Sequence, residues 1–317
     1  MRNFDIYVDS AANIPDELVK KHNITVIPYT CTVNGVERLC YEKDMPFEET
    51  AKKFYAELAA GADIKTSLVD KERIIDAVTA SAKEGRDIVM VTISSGISGT
   101  YNQAIEAKKY IEENFPDCSM YVLDGANASL GEGLQALRIA DLRDMGESAE
   151  SCAAWHAENV YKINSYFTVA DLKYLKKSGR ISTTLAIAGT ILNIKPILKA
   201  DGGDNAKIIF HSKERGRKRA IAAIAEMYKE RAISPESNTV AIAHAGCEED
   251  ALALAELVKE AGAKDIIIEY YDLCTVSHVG PGTLALFFYG VDRKAPAAEK
   301  AQKSSKLFHR AKNLKNG

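Results

Sequence analysis

No stretch of this sequence approaches the ~18 uninterrupted apolar residues that a membrane-crossing helix requires. The six histidines never stand four apart, and H-E-x-x-H does not occur, so metal binding has no motif behind it. Six cysteines are scattered without a C-x-x-C pair, which reads as reduced thiols of a cytosolic protein. Charge of one sign is also missing: 41 basic residues face 44 acidic ones, for a net charge of −3. Nothing global therefore recruits nucleic acid or a membrane surface. The segment Met1–Val8 carries an acid early and no apolar run, so it does not read as a secretory signal. The expected location is cytoplasmic, without stable membrane insertion.

The 317 residues, 46% hydrophobic and 27% charged, suit a globular chain of about two domains. Strands and helices alternate. Phe4–Val8 reads as a strand, followed by a helix capped by Asn13 with Pro15 in its first turn. Asn34-Gly35 between two apolar runs predicts a hairpin, because both turn positions need positive φ. Helical spacing marks 46–60, 70–84, 98–114 and 127–144, with apolar strands at 88–93 and 119–123. Such βα repetition implies a mostly parallel sheet. A helix over 148–162 closes this part. Strands near 166–169, before 198, after 207 and at 239–243, 265–271 and 284–289 then alternate with further helices. The expected fold is α/β, in two domains: 1–162 with a mostly parallel sheet, and 163–292 with a mixed sheet. From Arg293 to 317 runs a tail with eight Lys or Arg and one Glu. It reads as a solvated end or as a contact for an acidic partner.

Ser94-Ser95-Gly96-Ile97-Ser98-Gly99-Thr100-Tyr101 lies between an apolar strand and a helix. Hydroxyls and free backbone N–H groups at a helix N-terminus favour an anion, and glycine allows close approach. A plain turn with serine caps would look the same. The P-loop lysine is absent, and so is the G-x-S-x-G elbow of a serine hydrolase. Thr66-Ser67, before another helix, reads as a cap or as a second wall of the same anion site. Asp9 and Asp124 end parallel strands, at the edge where ligands of such sheets collect. Gly131-Glu132-Gly133 matches a dinucleotide fingerprint only loosely, since no acid-ended strand follows. His278, beside Gly280 and Gly282 and after a strand, reads as a ligand group or a structural loop histidine. Lys176, Lys177, Arg180, Lys213, Arg215 and Arg217–Arg219 form basic runs, either solvated or a docking face for an acidic or phosphate-bearing partner.

In order and spacing these segments resemble the DegV family. The matching residues are Val8-Asp9-Ser10, Lys65-Thr66-Ser67, Ser94–Tyr101, Asp171-Leu172, Tyr174-Leu175, Gly179-Arg180-Ile181, Ile194-Lys195-Pro196-Ile197, Asp201-Gly202, Ala243-His244 and His278 with Gly280 and Gly282. The family often has Thr-Asp-Ser where this chain has Val8-Asp9-Ser10, and Gly-Gly-Arg where it has Ser178-Gly179-Arg180. The resemblance implies a long-chain fatty acid buried between two α/β domains, no cofactor and no metal, and no catalysis by this chain. It implies a partner, the catalytic subunit of a fatty acid kinase, which would make the acyl phosphate. By the same resemblance Thr66, Ser98 and His278 surround the carboxylate, with Ser67 and Gly99 beside them, while Arg180 and Arg215 face the kinase. Ile97, Ala126, Ala128 and the segment 185–197, Ile194 included, are candidates for the acyl-chain lining or for ordinary core. The competing readings are a lipid carrier without a kinase, an enzyme acting on a phosphorylated small molecule, and an interaction module using the tail.

Overall fold

The computed structural model describes residues 4–181, 193–203 and 206–295. The strands in chain order are β1 (Phe4–Asp9), β2 (Ile24–Ile27), β3 (Thr30–Val33), β4 (Val36–Leu39), β5 (Ile64–Ser67), β6 (Asp87–Thr92), β7 (Met120–Asp124), β8 (Ile163–Thr168), β9 (Ile194–Ala200), β10 (Ile208–Arg215), β11 (Val240–His244), β12 (Ile266–Tyr270) and β13 (Leu284–Tyr289). The helices are α1 (Asp16–His22), α2 (Phe47–Ala59), α3 (Lys71–Lys83), α4 (Thr100–Asn114), α5 (Leu130–Asp144), α6 (Ala149–Asn159), α7 (Lys173–Lys177), α8 (Arg217–Arg231), α9 (Glu248–Glu260) and α10 (Leu273–Val279).

Three sheets result. A parallel one runs β2-β1-β6-β7, as the βα repetition implies. A mixed one runs β10-β9-β8-β13-β11-β12, parallel only between β11 and β12. The third, β4-β3-β5, is a small antiparallel sheet. Its β3–β4 turn is Asn34-Gly35, with φ of 51° and 83°. Those angles are what the hairpin turn demands of that dipeptide.

Strand alternation decides where the core goes. On the six-stranded sheet, Tyr166, Ile197, Leu284, Leu286 and Phe288 point one way and pack on Ile224 and Tyr228 of α8 and Leu254 and Val258 of α9. Phe167, Leu198, Ala285 and Phe287 point the other way, into a core shared with Tyr7, Met90 and Met120 of the parallel sheet. The two large sheets are thus joined through a common apolar layer. Helix α5 packs against strands of both, which explains why Leu130–Ala136 is buried all round.

Three local expectations are revised. Asn13 does not cap α1; it adopts a left-handed conformation (φ 57°), and its side chain donates to Ser129 Oγ at 3.3 Å. Thr66-Ser67 is not a cap but the end of β5, and Asp70 caps α3 through Arg73 N. His278 lies in the last turn of α10 rather than in a loop. Gly131 and Gly133, whose match to a dinucleotide fingerprint is loose, let α5 pack closely: a Cβ at Gly131 would strike Asn127, and one at Gly133 the Ala12 carbonyl. Residues 185–192 of the proposed acyl-chain segment, and the tail beyond 295, lie outside the described residues.

Candidate functional site

The loop from Ile93 to Gly99 leaves β6 at the carboxyl edge of the parallel sheet, and its own sequence ties it down. Asp9, ending β1, accepts from Ile93 N at 2.9 Å and Ala11 N at 3.0 Å. Asp124, ending β7, accepts from Ser95 N at 3.0 Å and from the Ser95 hydroxyl. Ser94, fully buried, donates its hydroxyl to the Ala206 carbonyl across the sheet junction at 3.1 Å. Two of the three loop serines are thereby consumed in structure. Ser98 Oγ lies 3.1 Å from Tyr29 OH and 3.1 Å from Thr100 Oγ1, which are themselves 2.6 Å apart. Helix α4 begins directly behind this hydroxyl triangle.

The second polar group joins residues 212 apart in sequence: Thr66 Oγ1 is 2.9 Å from His278 Nε2. Thr66 reaches it because β5 pairs with β3, opposite Cys31, and turns Thr66 inward while Lys65 and Ser67 stay exposed. Asp272 caps α10 through Thr275 N at 2.7 Å, which sets the helix that carries His278. Gly280 ends that helix at φ 83°, and a Cβ there would sit 2.2 Å from the Tyr174 ring, so only glycine suits the position. Burial, and secondarily the nearby Arg180 charge, push the His278 imidazole down to about 4. It is neutral at physiological pH. If its Nε2–H donates to Thr66 Oγ1, the threonine hydrogen is left to point at a ligand.

Tyr29 and Ser98 of the first group and Thr66 and His278 of the second line one cavity of about 240 Å³, somewhat below the ~300–1,000 Å³ common for small-molecule sites. Its remaining wall is largely apolar, including Leu68, Ile93, Ile97, Phe167, Leu175 and Phe287. The cavity lies where the exposed edge of the parallel sheet meets the inner face of the mixed one. Of the residues singled out in the sequence, Thr66, Ser98, Gly99, His278, Ile97, Ala128 and Arg180 line it. Ser67, Ala126, Ile194 and Arg215 do not. Ser67 is on the other side of its strand. Ala126 packs with Val160 and Ala206 instead. Ile194 and Arg215 are paired at the far end of the β9–β10 ladder, while Ala200 and Ile208 at the near end reach the cavity.

Arg180, expected from the sequence only at a partner-facing surface, places a cation on the same wall as the hydroxyls and the imidazole. It is held by Ile97 O at 3.2 Å and Ser178 O at 2.6 Å. Tyr29 is one of the polar lining residues that sequence reasoning missed, with Asn127, Ser129, Ser165, Tyr271 and Thr275. Burial raises the Tyr29 phenol well above the ordinary value of 10, so it stays a donor. Its partners are about seventy residues away, and no local pattern marks it. Among the described residues, no three His, Cys, Asp or Glu side chains gather into a metal site.

A model of the DegV family, described as uncharacterised proteins, matches residues 3–291. A DegV domain-containing protein of Clostridium perfringens is 37% identical over 297 residues, covering 93% of this chain and all of that one. The crystal structure of DegV, a fatty acid binding protein from Bacillus subtilis, aligns with a TM-score of 0.76 at 28% identity, covering 90% of this chain and 99% of that chain. A Thermotoga maritima protein whose structure is described as revealing a fatty acid binding function aligns with a TM-score of 0.76 at 27% identity, with the same coverage.

Proposed function

Because the chain belongs to the DegV family, we propose that it binds a long-chain fatty acid and presents the carboxylate to a separate kinase for conversion to an acyl phosphate. The observation that carries this reading is the pairing of Thr66 with His278 on the wall of an otherwise apolar cavity. An acyl tail needs a dry wall and a carboxylate needs donors, and this cavity offers both. Burying about fifteen methylenes at roughly 0.8 kcal/mol each gives on the order of 12 kcal/mol as an upper limit, which ordering costs reduce. The tail therefore supplies affinity and the head supplies position.

In this reading Thr66 and Ser98 donate to the carboxylate, His278 orients Thr66, and Gly99 leaves the backbone beside them uncovered. Arg180 offsets the negative charge, and with Arg215 belongs to the side approached by the kinase. The chain divides into 1–162, which contributes the hydroxyls, and 163–292, which contributes the imidazole. The kinase brings nucleotide and metal, and this chain contributes no bond-making group. Binding is tested by native mass spectrometry of protein purified from bacteria: a co-purified mass of a C14–C18 acid is expected, and protein that remains ligand-free after incubation with such acids refutes it. Presentation is tested by adding a kinase subunit and ATP and assaying for acyl phosphate; binding without product would leave a lipid carrier.

A further inference from the structure

A second cleft, of about 730 Å³, opens beside the start of α10 and shares no lining residue with the first cavity. Its walls are acidic from both sides. Asp9, Asp16, Glu17 and Glu48 come from the first half of the chain, and Glu248, Glu269 and Asp272 from the second. No Lys or Arg is among its lining residues.

Acidity alone would be met by water. Two further features point to a ligand. Asp272 and His244, both among the residues lining this cleft, are each 2% exposed, yet Asp272 Oδ2 and His244 Nδ1 have no hydrogen-bond partner among the described residues. Leaving such buried atoms unpaired is destabilising unless something fills the gap. The rim also shows how an ammonium is received: Lys52 pairs with Glu48 while its Nζ lies 5.7 Å from the Tyr270 ring centroid. Tyr270 in turn packs against His244 with the rings tilted by 53° and their centroids 4.4 Å apart.

A metal ion is a poor fit, because the described carboxylates do not converge in threes. They are spread along walls that also carry Tyr41, Phe47 and Tyr270. That arrangement matches separated positive charges joined by methylenes. We propose that this cleft binds a small organic cation with two or more ammonium groups, its amines against Asp272, Glu248 and Glu269 and its methylenes against Phe47 and Tyr270. Burial lifts Asp272 to about 7 and Glu269 to about 6, so such a ligand would also hold these carboxyls ionised.

Calorimetric titration of the full chain with spermidine at low salt tests this. Saturable binding near one per chain is expected, weakened at least tenfold by the Glu248→Gln/Glu269→Gln double substitution. Asp272→Asn should weaken it similarly, since asparagine keeps the helix cap and loses only the charge. Should Asp272→Asn fail to fold, the double variant, built on exposed and half-buried positions, decides. Equal affinity in wild type and variants, absence of saturable binding, or complete displacement by equimolar Mg²⁺ would overturn the assignment.

Discussion

Two hydroxyls, Thr66 and Ser98, carry the head-group reading, and each is poised differently. Thr66 is held by one imidazole, whereas Ser98 shares its hydrogen bonds with Tyr29 and Thr100. Thr66→Ala and Ser98→Ala should each lower fatty-acid affinity about tenfold, or ~1.4 kcal/mol. Ser67→Ala, one residue along the same strand, should leave it unchanged. Displacement of a fluorescent fatty acid checks all three, and an equal loss at Ser67 would mean that strand orientation is not what selects Thr66.

Glu132 is a second residue-scale case. It is fully buried, neither carboxyl oxygen has a hydrogen-bond partner among the described residues, and burial raises it well above its ordinary 4.5. The sign follows from linkage: as pH rises past 4.5 the unfolded chain releases this proton first while the folded chain keeps it, so stability falls with pH. The slope reaches at most about 1.4 kcal/mol per pH unit from one group. Glu132→Gln should flatten the decline in denaturation midpoint between pH 5 and 8, leaving the part due to Asp9 and Asp272, both raised to about 7. A variant as pH-sensitive as wild type would show that Glu132 is ionised in the folded state.

At the scale of elements, α10 is the critical piece. Seven residues long, it is capped by Asp272, stopped by Gly280 and carries His278 in its last turn. Gly280→Ala would require a Cβ 2.2 Å from the edge of the Tyr174 ring at a positive φ, so α7 and α10 would have to separate. The expected cost is about 2–4 kcal/mol, with loss of fatty-acid binding in whatever folds. Chemical denaturation measures it, and a loss below ~0.5 kcal/mol would mean that Tyr174 moves freely. Element-scale features were also the most legible in the sequence. The Asn34-Gly35 hairpin, the strand–serine loop–helix of β6 and α4, and helices α2, α3 and α5 follow from turn chemistry and apolar period. Strand β5 and helix α10 did not show, because four and seven residues are too few to display a period, and both are stabilised by distant partners.

For the whole molecule, the ligand is predicted to act as part of the core between the two large sheets. Anything that binds only the folded state stabilises it by RT ln(1 + [L]/Kd), about 2.7 kcal/mol at a hundredfold excess over Kd. Delipidated protein should therefore melt roughly 5–10 °C lower than protein reloaded with a C16 or C18 acid, at ~2–4 °C per kcal/mol for domains of this size. Differential scanning calorimetry provides the comparison, and coincident melting curves would exclude a buried tail.

The order of residues along the chain settled most of what is local: the longer strands and helices though not β5 or α10, which sheet is parallel, where an anion-friendly loop stands, and that no bilayer-crossing run exists. Only tertiary structure decided that Thr66 meets His278 across 212 residues, that Tyr29 joins Ser98, and that Ala126 and Ile194 are not among the residues lining the cavity. The physical reason is the range of the forces. Backbone period and turn strain act over a few residues and leave a readable pattern, whereas the meeting of two sheets is fixed by the packing of whole surfaces, to which no single segment holds the key.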